Sequence, residues 1–170
     1  MHNMSLNQPL YLYQTPMFML TVSTVILVDN GTILISESLG DGEEETCRFP
    51  GGQVKAGQET IQFAAVRYVK EQTGISIKKD DLIPIDFRSN PERSKEKNVV
   101  DFGMLCLMDE SILHNELILH KLSLNAKWNI IDYDNKCLTD QGGYICNTFY
   151  MDHALLLERA IDAFLMMRDY

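Results

Sequence analysis

The sequence has 170 residues, of which 45% are apolar and 23% charged, a composition typical of a folded globular protein. Its 24 acidic and 15 basic residues give a net charge of −9, which argues against nucleic acid and against an anionic membrane as partners. A chain of this length buries about 70% of the surface of its unfolded form. We therefore expect a single domain over residues 1–170 and expect any bound metal to serve function.

Cysteine usage and hydropathy bear on the location of the protein. The longest apolar stretch, residues 18–28, is too short to span a membrane, and no Lys or Arg precedes it to start a secretory leader. The cysteines form no C-x-x-C pair, so neither a disulfide framework nor a zinc site is predicted. We expect reduced thiols in a cytoplasmic protein at all four positions: Cys47, Cys106, Cys137 and Cys146.

The first 16 residues carry no charged side chain and are interpreted as an N-terminal arm or a dimer contact rather than as core. Tyr11 and Tyr13 in this arm would be partly exposed in a monomer. Because soluble proteins seldom leave clustered aromatic side chains uncovered, a homodimer is predicted.

A β-hairpin follows the arm. Residues 17–29 are rich in Val, Ile and Thr and predict a strand, and residues 32–36 predict its partner. Asn30 and Gly31 between them form the dipeptide best suited to a tight hairpin turn.

An acidic loop at residues 41–45, a short strand at 47–49 and a sharp turn at 50–52 come next. Residues 60–72 then have apolar side chains at the helical period, and Gly74 stands in the usual position after a helix.

The second half of the sequence predicts strands at residues 82–87, 99–108 and 127–132 and a closing amphipathic helix at 152–167. The polar segment 88–98 is too long for a tight hairpin and is interpreted as a lid. The elements lack the regular strand–helix–strand spacing of a doubly wound sheet. The predicted fold class is therefore α/β in the α+β sense, a mixed-sheet sandwich.

The most informative stretch covers residues 51–59 and 64–75 and resembles the Nudix box. The pattern of that family is Gly, five residues, Glu, seven residues, then Arg-Glu-apolar-x-Glu-Glu-x-Gly-apolar. The residues that match are Gly52, Glu59, Arg67, Val69, Glu71, Gly74 and Ile75.

The resemblance extends to most of the chain and looks closest to the ADP-ribose pyrophosphatase-like branch. It implies a Nudix-like α/β/α sandwich and a pyrophosphohydrolase dependent on Mg²⁺ or Mn²⁺. The implied substrate is a small-molecule nucleoside diphosphate linked to another group, such as ADP-ribose. In such a box, helix carboxylates three and four residues apart share one face and hold a hard cation against the diphosphate.

The resemblance also assigns roles to individual residues. Glu71 would be a catalytic metal ligand, Glu59 a ligand or water-positioning partner, and Arg67 a brace for the loop. Gly52 would contact metal or phosphate through its backbone, and Gln72 would offer a carbonyl oxygen to the metal. Gly51, Gly52 and Arg93 are the predicted substrate-binding residues.

This box departs from the family pattern at three points. Tyr68 and Gln72 replace two of the three expected helix carboxylates, and one residue is inserted between Gly52 and Glu59. Because opposite unit charges 4 Å apart attract by about 4 kcal/mol at an effective dielectric near 20, the loss of two carboxylates weakens a dication site. Candidate replacement ligands are Glu43, Glu44, Glu45, Asp109, Glu110 and Glu116.

Two functions therefore stay open, a hydrolase with weakened activity and a non-catalytic module that binds or senses a nucleotide or ADP-ribose. Plainer interpretations exist for single residues as well. Arg67 and Glu71 stand four residues apart and could form only a surface ion pair. Tyr68 and Trp128 could be packing residues, and His153 could belong simply to the N-terminal turn of the last helix. The cations of the lid segment, which could meet a diphosphate, are Arg88, Arg93, Lys95 and Lys97.

Overall fold

The computed structural model describes residues 18–38, 46–89, 98–114, 126–132, 137–139, 145–146 and 149–168. Within these ranges, nine strands form one sheet. They are β1 (Phe18–Val28), β2 (Thr32–Ser38), β3 (Thr46–Arg48), β4 (Gly51–Gln53), β5 (Leu82–Ser89), β6 (Asn98–Met108), β7 (Ala126–Asp132), β8 (Cys137–Thr139) and β9 (Ile145–Cys146). The helices are α1 (Ile61–Thr73) and α2 (His153–Arg168), and short 3₁₀ turns lie at Lys79–Asp81 and Glu110–His114.

The sheet is mixed, with strand order β5-β6-β1-β2-β7-β8-β9, while β3 pairs with β2 and β4 pairs with β1. Strands β1 and β6 run parallel along their full length, from Phe18 opposite Asn98 to Val28 opposite Met108. The other strand pairs of the sheet are antiparallel. The predicted mixed sheet with helices is confirmed.

The hairpin of β1 and β2 is confirmed at the predicted turn. Gly31 has φ 85°, the left-handed conformation that glycine tolerates best. The Asn30 side-chain oxygen accepts a hydrogen bond from the Thr32 N–H at 2.9 Å. This local bonding of Asn and the freedom of Gly explain why the dipeptide signals the turn.

Helix α1 begins and ends within one residue of the prediction. The Thr60 hydroxyl caps its first turn by accepting from the Phe63 N–H at 3.3 Å. Gly74, in the left-handed conformation with φ 82°, donates its N–H to the Lys70 carbonyl. These two caps fix where α1 begins and where it ends.

Alternate side chains of β1 enter two cores on opposite faces of the sheet. Val22, Ile26 and Val28 pack with the buried face of α1. Val25 and Leu27 pack with the buried face of α2, which includes Leu156 and Leu157. The sandwich therefore has one helix on each face, and β1 lies at its centre.

Two sequence interpretations are wrong. Arg88 is not part of a lid, because it lies in β5 with only 8% of its surface exposed. Cys47 is disulfide-bonded rather than reduced, whereas Cys106 is a free, buried thiol whose pKa burial raises to about 11. Strand β5 continues two residues past its predicted end at residue 87, because Arg88 pairs with Asp101 and Ser89 with Val100. The disulfide was missed because cysteine spacing does not determine disulfide connectivity.

Several predicted features lie outside the described residues, namely the arm at 1–16, the acidic loop at 41–45, Glu116, and Arg93 with Lys95 and Lys97. Among the residues that are described, no helix is long and apolar enough to cross a membrane. The segment predicted as a turn at 50–52 contributes Gly51 and Gly52 to the short strand β4, which pairs with the start of β1.

Candidate functional site

The loop between β4 and α1 is braced by Arg67, in the second turn of the helix. Its guanidinium donates from Nε to Glu59 Oε2 at 2.9 Å and from Nη2 to Glu59 Oε1 at 2.6 Å. Glu59 also accepts from the Lys55 N–H at 2.9 Å, which closes the loop on itself. Arg67 reaches Glu71 as well, with Nη1 3.2 Å from Oε2.

These contacts fix the ionisation of Glu59. The Arg67 hydrogen bonds, followed by the Lys55 N–H, lower its pKa from 4.5 to about 2. The same pairing raises the pKa of Arg67. Glu59 is therefore a carboxylate throughout the physiological range, and its charge is balanced by an arginine.

The two substituted positions of the box contact the backbone of β4. Tyr68 donates its hydroxyl to the Gln53 carbonyl at 3.0 Å, and its ring lies under the Arg67 guanidinium at 4.1 Å. Gln72 makes two hydrogen bonds to Gly51, accepting from the N–H at 3.0 Å and donating to the carbonyl at 2.8 Å. Both side chains are thus bound to the glycine-rich strand.

The glycines of β4 are required by close packing. A Cβ on Gly51 would lie 2.1 Å from the Val22 carbonyl oxygen. A Cβ on Gly52 would lie 2.5 Å from Cζ of the Tyr68 ring. A larger residue at Gly51 would therefore push the strand away from β1, whereas one at Gly52 would displace the Tyr68 ring.

The side chains present do not fit a resident Mg²⁺ or Mn²⁺ ion on this helix face. Glu59, Glu71 and Arg67 together carry a net charge of −1, and Tyr68 and Gln72 add none. Hard divalent cations prefer several oxygen ligands, most often carboxylates. Across the described part of the chain, no group of three or more His, Cys, Asp or Glu side chains is placed to hold a metal.

Two of the candidate replacement ligands lie far from the glycine-rich strand β4. Asp109 bonds to Ser111, and Glu110 accepts from the Asn30 side chain at 3.2 Å, so both lie beside the hairpin turn. Gly51, by contrast, pairs with Ser23 of β1. Ser23 precedes Asp29, the residue before the hairpin turn, by six residues, or about 20 Å of extended strand. Both acids therefore lie at the hairpin end of β1, away from Gly51.

A cavity of about 390 Å³ opens beside Gly51 and Gly52, on the face of the sheet that α2 covers. Met19 and Met151 contribute thioether side chains to its wall, and Tyr150 is partly exposed there. Arg48 brings a positive charge to the same wall. A volume of this size accommodates a small organic ligand.

A buried polar network, which sequence reasoning missed, forms the inner wall of the cavity. Asp101 is 1% exposed, accepts from Thr21 at 2.6 Å and from Ser23 at 3.1 Å, and pairs with Arg88. Arg88 also donates to the Asp152 carbonyl at 2.6 Å. The signal available in the sequence was Asp101, the one charged residue of β6.

His153 connects this network to the turn before β4. Its Nδ1 accepts from the Phe49 N–H at 3.0 Å, which places the proton of the neutral ring on Nε2. Nε2 lies 3.4 Å from the Ser23 hydroxyl, and the ring stacks on Phe49 with 5.7 Å between centroids. His153 lies in the N-terminal turn of α2, as predicted, and is its first residue. Trp128 packs against the core on the α1 face.

Comparison with known proteins decides the family. A sequence model described as NUDIX domain matches residues 17–120, which is more than half of the chain. The chain belongs to the Nudix family. No curated protein sequence matches the chain significantly.

Solved structures share this Nudix fold at low sequence identity. A MutT/nudix family protein from Enterococcus faecalis is 20% identical with a TM-score of 0.70, and the alignment covers 94% of this chain and 66% of that one. A bifunctional NMN adenylyltransferase/ADP ribose pyrophosphatase from Francisella tularensis, complexed with AMP and a Mn ion, is 18% identical with a TM-score of 0.61, covering 93% and 44%.

NrtR from Shewanella oneidensis, complexed with a 27mer DNA, is 17% identical with a TM-score of 0.63, covering 86% of this chain and 62% of that one. The chain therefore spans between 44% and 66% of the length of these three structures. Nudix hydrolases generally use divalent metals, and Nudix neighbours bind nucleotide derivatives. The expected absence of a nucleic-acid partner, the homodimer, the cytoplasmic location and the single domain stay predictions.

Proposed function

We propose that this Nudix chain binds a nucleoside diphosphate derivative of the ADP-ribose class and that its box no longer supports efficient metal-assisted hydrolysis. The observation that carries the proposal is the pair of side chains at positions 68 and 72 of the box helix. Both substituted positions hold neutral side chains that are already bonded to the backbone of β4. The low charge of this face supports binding without hydrolysis.

The cavity supplies the binding half of the proposal. Its thioether and aromatic wall suits a planar base, because sulfur and aromatic groups contact ring faces favourably. Arg48 offers a cation to a phosphate or ribose-phosphate group. The ADP ribose pyrophosphatase complexed with AMP among the structural neighbours agrees with a ligand of this class.

Calorimetry with ADP-ribose in EDTA tests binding directly. We expect micromolar affinity that Mg²⁺ or Mn²⁺ leaves unchanged. Tyr150→Ala, at the cavity, should weaken binding at least tenfold, while Leu155→Ala, exposed on α2 outside the cavity, should not. Absence of any heat with ADP-ribose, ADP and AMP would refute the proposed ligand class.

A weak hydrolase is the second candidate, favoured by the intact cluster of Glu59, Arg67 and Glu71. In that case Glu71 would be the metal ligand, Glu59 a ligand or water-positioning residue and Arg67 the brace. Phosphate-coupled assays with Mg²⁺ and Mn²⁺ separate the two functions. Hydrolysis that Glu71→Gln abolishes supports the enzyme, whereas activity that appears only after Tyr68→Glu with Gln72→Glu supports the binding module.

A further inference from the structure

Helix α1 contacts three consecutive residues of β4 through two side chains one turn apart. Gln72 bonds to both backbone groups of Gly51. Tyr68 packs its ring against Gly52 and bonds to the Gln53 carbonyl. Because residues i and i+4 share a helix face, the two side chains form one row along the strand.

At position 72 an amide can make both hydrogen bonds to Gly51, whereas a carboxylate can make only one of them. The oxygen of Gln72 accepts the Gly51 N–H, as a carboxylate oxygen would. Its nitrogen donates to the Gly51 carbonyl at 2.8 Å, which a carboxylate cannot do. An ionised glutamate in the same pose would face that carbonyl with a second oxygen, and a cation between the two oxygens would relieve the repulsion.

Tyr68 also donates a hydrogen bond to a backbone carbonyl of β4. Its hydroxyl hydrogen points at the Gln53 carbonyl at 3.0 Å, and the Arg67 guanidinium lies 4.1 Å from the ring centre. Two backbone carbonyls that face the helix thus accept hydrogen bonds from neutral groups. The positive ends of those groups, together with Arg67, repel a dication from the space between α1 and β4.

We infer that the Gln72 amide and the Tyr68 hydroxyl replace a divalent cation between α1 and β4 and hold the glycine-rich strand in place without one. Gln72 and Tyr68 are positioning residues in this arrangement. The inference deepens the proposed function and rests on it for its role in ligand binding, because a strand fixed in this way presents the cavity to a nucleotide in the absence of metal.

Two measurements without nucleotide test the inference, so their outcome is independent of whether the cavity binds ADP-ribose. The first is Mn²⁺ titration followed by electron paramagnetic resonance, in which the signal of free Mn²⁺ should be unaffected by the wild-type protein. Stoichiometric loss of that signal, reversed by Glu71→Gln, would overturn the inference.

The second measurement is thermal unfolding with EDTA or Mn²⁺. Wild-type protein should melt at the same temperature in both. Gln72→Glu should melt lower in EDTA, by about 3 °C or more. Mn²⁺ should restore much of that loss, a metal dependence that a purely structural weakening would not produce.

Gln62→Glu, on an exposed position of the same helix, is the matched control and should respond to neither EDTA nor Mn²⁺. Tyr68→Phe keeps the ring and removes only the hydroxyl, so it should lower the melting temperature without creating a Mn²⁺ response. A Gln72→Glu variant as stable as wild type in EDTA would overturn the inference. So would a folded Gln72→Glu variant that melts lower but gains nothing from Mn²⁺.

Discussion

Arg67 holds Glu59 by two hydrogen bonds across the loop that precedes α1, at 2.9 Å and 2.6 Å. The pair closes the segment between the glycine-rich strand and the helix, and Glu71 extends it at 3.2 Å. Arg67 therefore gives the box its shape, whatever chemistry the box retains.

The lowered pKa of Glu59 predicts a specific acid sensitivity. Because the folded-state pKa is about 2 and the ordinary value 4.5, the carboxylate stabilises the fold above that ordinary value. Its contribution is lost as the pH falls from 4.5 towards 2. Glu59→Gln should flatten this part of the curve of melting temperature against pH. Parallel curves for variant and wild type across that window would contradict the prediction.

Gly51 and Gly57 provide a matched pair of glycine substitutions. Gly51→Ala should lower the free energy of unfolding by about 3 kcal/mol or more, because the new methyl group would meet the Val22 carbonyl oxygen. Gly57 has open space around it and φ 71°, so Gly57→Ala should cost only about 1 kcal/mol of backbone strain. Urea unfolding measures both, and equal losses would argue against the close approach of β4 to β1.

Removal of the Asp101 charge should destabilise the fold strongly. Asp101→Asn keeps the shape but leaves the Arg88 guanidinium without that buried carboxylate, and we expect a loss of about 3 kcal/mol. Glu110→Gln changes an exposed carboxylate that bonds to Asn30 and should cost less than about 0.5 kcal/mol. Chemical denaturation compares the two variants, and a small effect at Asp101 would mean that the network contributes little.

Met151 has a positive φ of 51°, an unfavourable conformation for a residue with a side chain. We expect Met151→Gly to be more stable than Met151→Ala by about 1 kcal/mol, because both variants remove the thioether and only glycine relieves the backbone. Both variants should weaken ADP-ribose binding, since Met151 lines the cavity. If alanine proved the more stable of the two, the left-handed conformation at this position would be in doubt.

The sequence by itself determined the features that depend on neighbouring residues. The Asn30-Gly31 turn, the capped helix at Ile61–Thr73 and the Arg67–Glu71 pair all follow from local hydrogen bonding and from the helical period. The box pattern also placed Glu59 in line with Arg67, eight residues apart. These contacts lie within a few turns of chain, where spacing predicts contact.

Only the tertiary structure decided the contacts that join distant segments. Asp101 meets Ser23 across 78 residues, Ser23 approaches His153 across 130, and Gln72 meets Gly51 across 21. The parallel pairing of β1 with β6 belongs to the same class. Strand pairing and burial bring these residues together, and neither depends on local sequence spacing. The backbone partners of Tyr68 and Gln72 on β4 could therefore be identified only in the folded chain.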